Sequence, residues 1–114
     1  MSEELPVINQ VYKLYKHVVD LNIKLPKVQR YSLGQSLENS TLQLMEQLIM
    51  AKNAPKPLKA PYLIKALAQQ EITTLKLRLY LELKLANETK IFQAQGNLND
   101  IGRMAGGWLR SLET

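Results

Sequence analysis

Lysine and arginine are the side chains of this sequence whose number and spacing could do chemistry on a partner. Fifteen of them stand against ten carboxylates in 114 residues, a formal net charge of +5. A surplus of that sign suits a polyanion, because each phosphate neutralised by a cation releases condensed counterions. Lys13, Lys16 and Lys24 share the outer face of an expected first helix, and Lys27 and Arg30 carry that basic stripe into the connection beyond it. Lys76, Arg78 and Lys84 belong to a third helix, where Lys65 and Lys76 line up eleven residues apart. Arg103 and Arg110 are seven apart on a fourth helix and so point within about 20° of each other. These ten residues, Lys65 aside, are the candidate nucleic-acid contacts. Aromatic residues are few, so the expected mode is shape-tolerant binding of the phosphate backbone. Tyr12, Tyr31 and Tyr62 could stack on bases, although packing at the edge of a core is the commoner use of such residues.

Catalytic groupings are thin. Glu71 and Glu82 are the carboxylates among the apolar positions of the third helix, and Arg78, four residues before Glu82, pairs with it along the helix rather than leaving it free as an acid or base. His17 stands among lysines on a polar face. There is no cysteine, a single histidine, no metal-ligand spacing and no glycine-rich phosphate loop between a strand and a helix. The sequence therefore reads as a non-enzyme with no metal and no cofactor.

Four helices must position these groups. The first runs from about Pro6 to Lys24 and ends before Pro26, since a residue preceding proline is pushed out of the α region. Its buried stripe is Val7, Val11, Leu14, Val18, Leu21 and Leu25. Ser32 and Gln35 have capping-box spacing, so a second helix is expected over 32–54, with Leu33, Leu37, Thr41, Leu44, Met45, Leu48 and Ala51 inward. After a proline-rich connection, Pro61 suits the first position of a third helix over 61–86.

Leu75 to Leu85 alternates like an amphipathic strand. Yet its apolar positions are all leucine, a helix former, and no other segment offers a pairing strand. As a helix it carries leucine on every side, more than one small domain can cover, so Leu77, Leu79, Leu81 and Leu83 are expected to meet another subunit. The fourth helix spans about 88–112. Its segment Ile101-Gly102-Arg103-Met104-Ala105-Gly106-Gly107-Trp108-Leu109-Arg110 places three glycines in a helix, each costing about 1 kcal/mol relative to alanine, a cost that close approach of a neighbour would offset. Gly102 and Gly106 border the apolar stripe that contains Trp108 and leave a groove beside it.

Short connections between four helices predict a single all-α domain over 1–114, an antiparallel up-down-up-down four-helix bundle. The acidic start Met1-Ser2-Glu3-Glu4-Leu5-Pro6 lacks the features of a signal peptide, and no apolar run approaches the ~20 residues of a membrane span, so a cytoplasmic protein with no membrane partner is expected.

Two motifs carry a resemblance. Leu25-Pro26-Lys27-Val28-Gln29-Arg30-Tyr31-Ser32-Leu33-Gly34 resembles an F-P-x-x-[QE]-[RK]-[FY]-x-L-G pattern, and Ile101-Gly102-Arg103-Met104-Ala105-Gly106-Gly107-Trp108 resembles I-G-R-M-L-G-G-W. Both are patterns of the four-helix-bundle family that includes the accessory variability determinant of diversity-generating retroelements and the proteins encoded in ribosomal-RNA intervening sequences. The resemblance covers nearly the whole chain, with Ala105 where a leucine is usual. It implies a homopentameric barrel with a basic surface, which binds a reverse transcriptase and template RNA, with DNA as a further polyanion, and supports mutagenic cDNA synthesis without catalysing it. A standalone oligomeric bundle of the intervening-sequence type is the alternative it implies.

Overall fold

Apolar residues recurring at three- and four-residue intervals draw the chain into four long helices, with no strand among the described residues. The structure is a computed structural model that describes residues 4–113, with side chains from Pro6 onward; Met1, Ser2, Glu3 and Thr114 lie outside the described residues. Helix α1 spans Glu4–Ile23, α2 Gln35–Asn53, α3 Lys59–Glu82 and α4 Glu88–Ser111. Helices of 24 residues are about 36 Å long, which accounts for the elongated shape, 47 × 23 × 19 Å.

The expected stripes of α1 and α4 form the core. Val7, Val11, Leu14, Val18, Leu21 and Leu25 are at most 3% exposed, and Ile91, Ala94, Leu98, Ile101, Ala105 and Trp108 are likewise buried. Asn87 caps α4 by accepting a hydrogen bond from the Lys90 backbone N–H at 3.1 Å.

Three boundaries differ from the sequence expectation. Pro26, with extended ψ, stands before a single α turn, Lys27–Gln29, which runs through a π turn, Arg30–Gly34, directly into α2. Ser32 is therefore inside helical backbone rather than at a cap, and its hydroxyl donates back to the Val28 carbonyl at 2.9 Å. Pro61 is the third residue of α3, after a 3₁₀ turn, Lys56–Leu58. There its missing N–H is one that the first helical turn leaves unpaired in any case. Helix α3 stops at Glu82 rather than Ala86 because Lys84 takes a left-handed conformation, φ 56°. Its N–H bonds the Leu81 carbonyl and that of Leu85 bonds Tyr80, a Schellman ending with lysine where glycine is usual.

The leucine run splits by helical phase. Residues two apart lie about 200° apart on a helix, so Leu77 points into the core, fully buried, and Leu81 packs against the core's edge, while Leu75, Leu79 and Leu83 face outward. Leu77 thus cannot belong to an exposed interface.

A polar cluster joins three elements at one end of the core, with Asn22 and Tyr80 buried and Glu38 half-buried at its edge. The Asn22 side chain of α1 donates from Nδ2 to the Gly34 carbonyl (2.8 Å) and to Glu38 Oε2 (2.9 Å), and its Oδ1 accepts from the Tyr80 hydroxyl of α3 (2.6 Å). Burial, reinforced by the charge of Glu38, raises the Tyr80 phenol above its ordinary pKa. The cluster brings together the last turn of α1, the turn leading into α2 and the last turn of α3.

Candidate nucleic-acid interface

The same cluster decides where the cations gather. Lys24, Lys27, Arg30, Arg78 and Lys84 all lie within a few residues of Asn22, Gly34 or Tyr80, so one end of the molecule collects residues from three elements. Lys90 joins them from the first turn of α4 through an ion pair with Asp20 of α1 at 2.8 Å. The other candidates stand apart. Lys13 and Lys16 are farther back on α1, about 16 Å from Lys24 in the case of Lys13, and Arg103 and Arg110 lie on the outer face of α4.

Several of these charges already have work within the fold. Arg30 donates to the carbonyls of Leu25 (3.1 Å) and Ile23 (3.3 Å), closing the C-terminal end of α1. Lys76 Nζ crosses from α3 to the Ser36 carbonyl at 2.9 Å, and partial burial lowers its pKa. Arg78 pairs with Glu82 and Arg103 with Asp100, each at 3.1 Å, on exposed surface where such pairs hold a side chain only loosely. Lys16 sits over the Tyr12 ring, 5.0 Å from its centre. Among the described residues Lys13, Lys27, Lys84 and Arg110 make neither an ion pair nor a side-chain hydrogen bond. Lys24 adds its charge to that of Lys90 beside Asp20, and the Lys90 hydrogen bond is the first of the causes that hold this carboxyl below its ordinary pKa.

Sequence spacing did not mark Lys90 as part of the basic end, because its partner Asp20 is 70 positions away. Nor did it distinguish Arg30 and Lys76, whose partners are backbone carbonyls and leave no trace in residue types. The glycines of α4 also divide. A Cβ on Gly102 would come within 2.9 Å of the Gln70 side chain, so this glycine admits a neighbouring side chain from α3. Gly106 has only its own helix's Arg110 within reach, at 3.4 Å, and Gly96 has nothing within 4 Å. The groove expected at Gly102 and Gly106 is therefore filled at Gly102 and open at Gly106.

Among the described residues no group of acidic, histidine or cysteine side chains could hold a metal ion, and no helix is long and apolar enough to cross a membrane. The two motif segments thus lie at the basic end and along α4. The bAvd-like family model matches residues 6–112. The chain belongs to the bAvd-like family. A solved relative in fold is a protein of unknown function from the S23 ribosomal protein family of Bacteroides thetaiotaomicron VPI-5482. It has a TM-score of 0.85 at 14% identity, covering 95% of this chain and 98% of that one. Identity that low speaks for the arrangement of helices alone. No curated protein shows significant similarity to the chain. The fold gives the two motifs a structural sense: Gly34 lets the turn touch the Asn22 carboxamide, 3.2 Å from where a Cβ would stand, and Trp108 is buried toward the other end of the core.

Proposed function

We propose that this bAvd-like protein is a non-enzymatic, nucleic-acid-binding accessory protein of a diversity-generating retroelement. In this reading it binds template RNA and the reverse transcriptase in the cytoplasm and supports mutagenic cDNA synthesis. Its helices alternate in direction, an antiparallel up-down-up-down bundle, and five copies form a barrel. The observation that carries the reading is the gathering of Lys24, Lys27 and Lys84 at one end of a bAvd-like chain, with Arg30 and Arg78 beside them. Repeating that end in each copy of an oligomer multiplies a field that one copy supplies only weakly.

Titration with structured RNA at rising salt tests it. Binding should weaken along a log–log line whose slope is about −0.7 to −0.9 per phosphate contacted, and Lys27→Ala with Lys84→Ala should flatten it. Absence of binding at low salt would remove the biochemical basis of the proposal. The second reading, an oligomeric bundle of intervening-sequence type with a structural role, draws support from the outward apolar residues of α3 and predicts assembly without RNA affinity.

A further inference from the structure

The outer seam between α2 and α3 carries a groove of about 490 Å³, inside the roughly 300–1,000 Å³ range of small-ligand clefts. Its floor is made of small residues because the helices approach closely there: Thr73 Oγ1 lies 3.0 Å from Ser40 Oγ, and Lys76 reaches the Ser36 carbonyl. Asn39 and Gln43, one turn apart on α2, form one wall, and Gln69 of α3 faces them. Among the described residues these three carboxamides make no side-chain hydrogen bond, in contrast to Asn22, Gln70 and Asn87, which the fold engages. Tyr31 stands at the end of the groove, 66% exposed.

We infer that this groove is a seat for an unpaired nucleotide of a single strand. Each carboxamide offers donors and an acceptor side by side, the pattern that matches the edge of a base. The Tyr31 ring supplies a face on which a base can stack. Lys76 uses one ammonium hydrogen on Ser36 and keeps two for a phosphate. A duplex, with its base edges paired and its width far beyond this cleft, has no comparable fit. The inference rests on the nucleic-acid reading above and names a second site for it, which starts beside the basic end where Tyr31 follows Arg30 and runs along the α2–α3 seam, with base contacts where that end offers only charge.

Fluorescence anisotropy with a short, unstructured, labelled single-stranded RNA and with its duplex tests the assignment. Tyr31→Ala should weaken single-strand binding about tenfold, the scale of one lost stacked base, and leave duplex binding unchanged. Tyr31→Phe should restore the affinity, and Asn39→Ala with Gln43→Ala should lower it. Tyr31, Asn39 and Gln43 are exposed, so these variants should melt like the parent protein. Lys27→Ala should weaken both ligands equally. Single-strand binding that survives Tyr31→Ala and the double variant overturns the groove and leaves the basic end standing. Binding of the duplex alone does the same, and a protein that binds neither ligand overturns both proposals.

Discussion

The Tyr80 hydroxyl donates to Asn22 Oδ1 at 2.6 Å, joining α3 to α1 across 58 residues of sequence in the buried interior. With both side chains buried, neither atom has water as a substitute partner. Tyr80→Phe leaves the Asn22 oxygen without its donor and should destabilise the fold by about 1–2 kcal/mol, read as a lower urea midpoint with unchanged slope. The pH dependence has a definite sign. The folded phenol keeps its proton above pH 10, the ordinary value, while the unfolded chain releases it. The native state then binds more protons, so stability falls as pH rises from about 10 upward. Tyr80→Phe should flatten that alkaline decline.

Gly34 and Gly96 are both helical glycines, and the same substitution should have opposite effects on them. A Cβ at Gly34 would lie 3.2–3.3 Å from three atoms of the Asn22 carboxamide, which its own hydrogen bonds hold in place. Overpacking there costs about 1–3 kcal/mol. At Gly96 a methyl meets open space, and Gly96→Ala should gain about 1 kcal/mol of helix propensity. Urea unfolding of the two variants side by side checks this; equal effects would mean that Asn22 yields.

Lys84 separates stability from binding. As the only non-glycine residue with positive φ among those described, at 56°, it holds a conformation that costs an L-residue about 1–2 kcal/mol. Lys84→Gly relieves that and gives up some unfolded-state restriction, for a net gain of about 1 kcal/mol. If Lys84 contacts a phosphate, the same variant should bind RNA more weakly, with a salt slope lower by about one. A variant that is more stable yet binds less tightly cannot be explained as partial unfolding.

What the sequence makes legible here is whatever depends on local period. The inward stripes of α1 and α4 follow from three- and four-residue spacing, and so does the start of α4 near Glu88. The π turn at Arg30–Gly34 and the end of α3 at Lys84 were not legible, because neither is marked by its usual residue: no glycine stands at 84, and Ser32 imitates a cap. The site divides in the same way. Basic residues near Pro26 are neighbours in the sequence, whereas the arrival of Lys84 and Lys90 beside them depends on contacts 58 and 70 positions apart. Leu77 and Leu79 look alike in a run of leucines; the phase set by Leu63, Ala66 and Thr73 puts one inside and the other outside.

For the proposed oligomer, that phase also points to a surface through which the copies would meet. Ile64, Ile72, Leu75 and Leu79 are 57, 41, 60 and 36% exposed and, with Ala68, recur at four-, four-, three- and four-residue steps along the side of α3 opposite its core face. Spacing of that kind keeps one apolar seam in line over successive turns, as helix-to-helix packing between chains requires. Leu75→Glu with Leu79→Glu places two charges on the seam without touching the core, so helical content should persist while the mass in solution falls from oligomer to single chain. Leu77→Glu should instead unfold the protein, since it buries a charge with no partner. Light scattering and circular dichroism on both variants distinguish the outcomes. A double variant that keeps the oligomer's mass would place the subunit contact on another face, and the glycine-bearing outer side of α4, where Gly96 meets nothing within 4 Å, is the next surface to test.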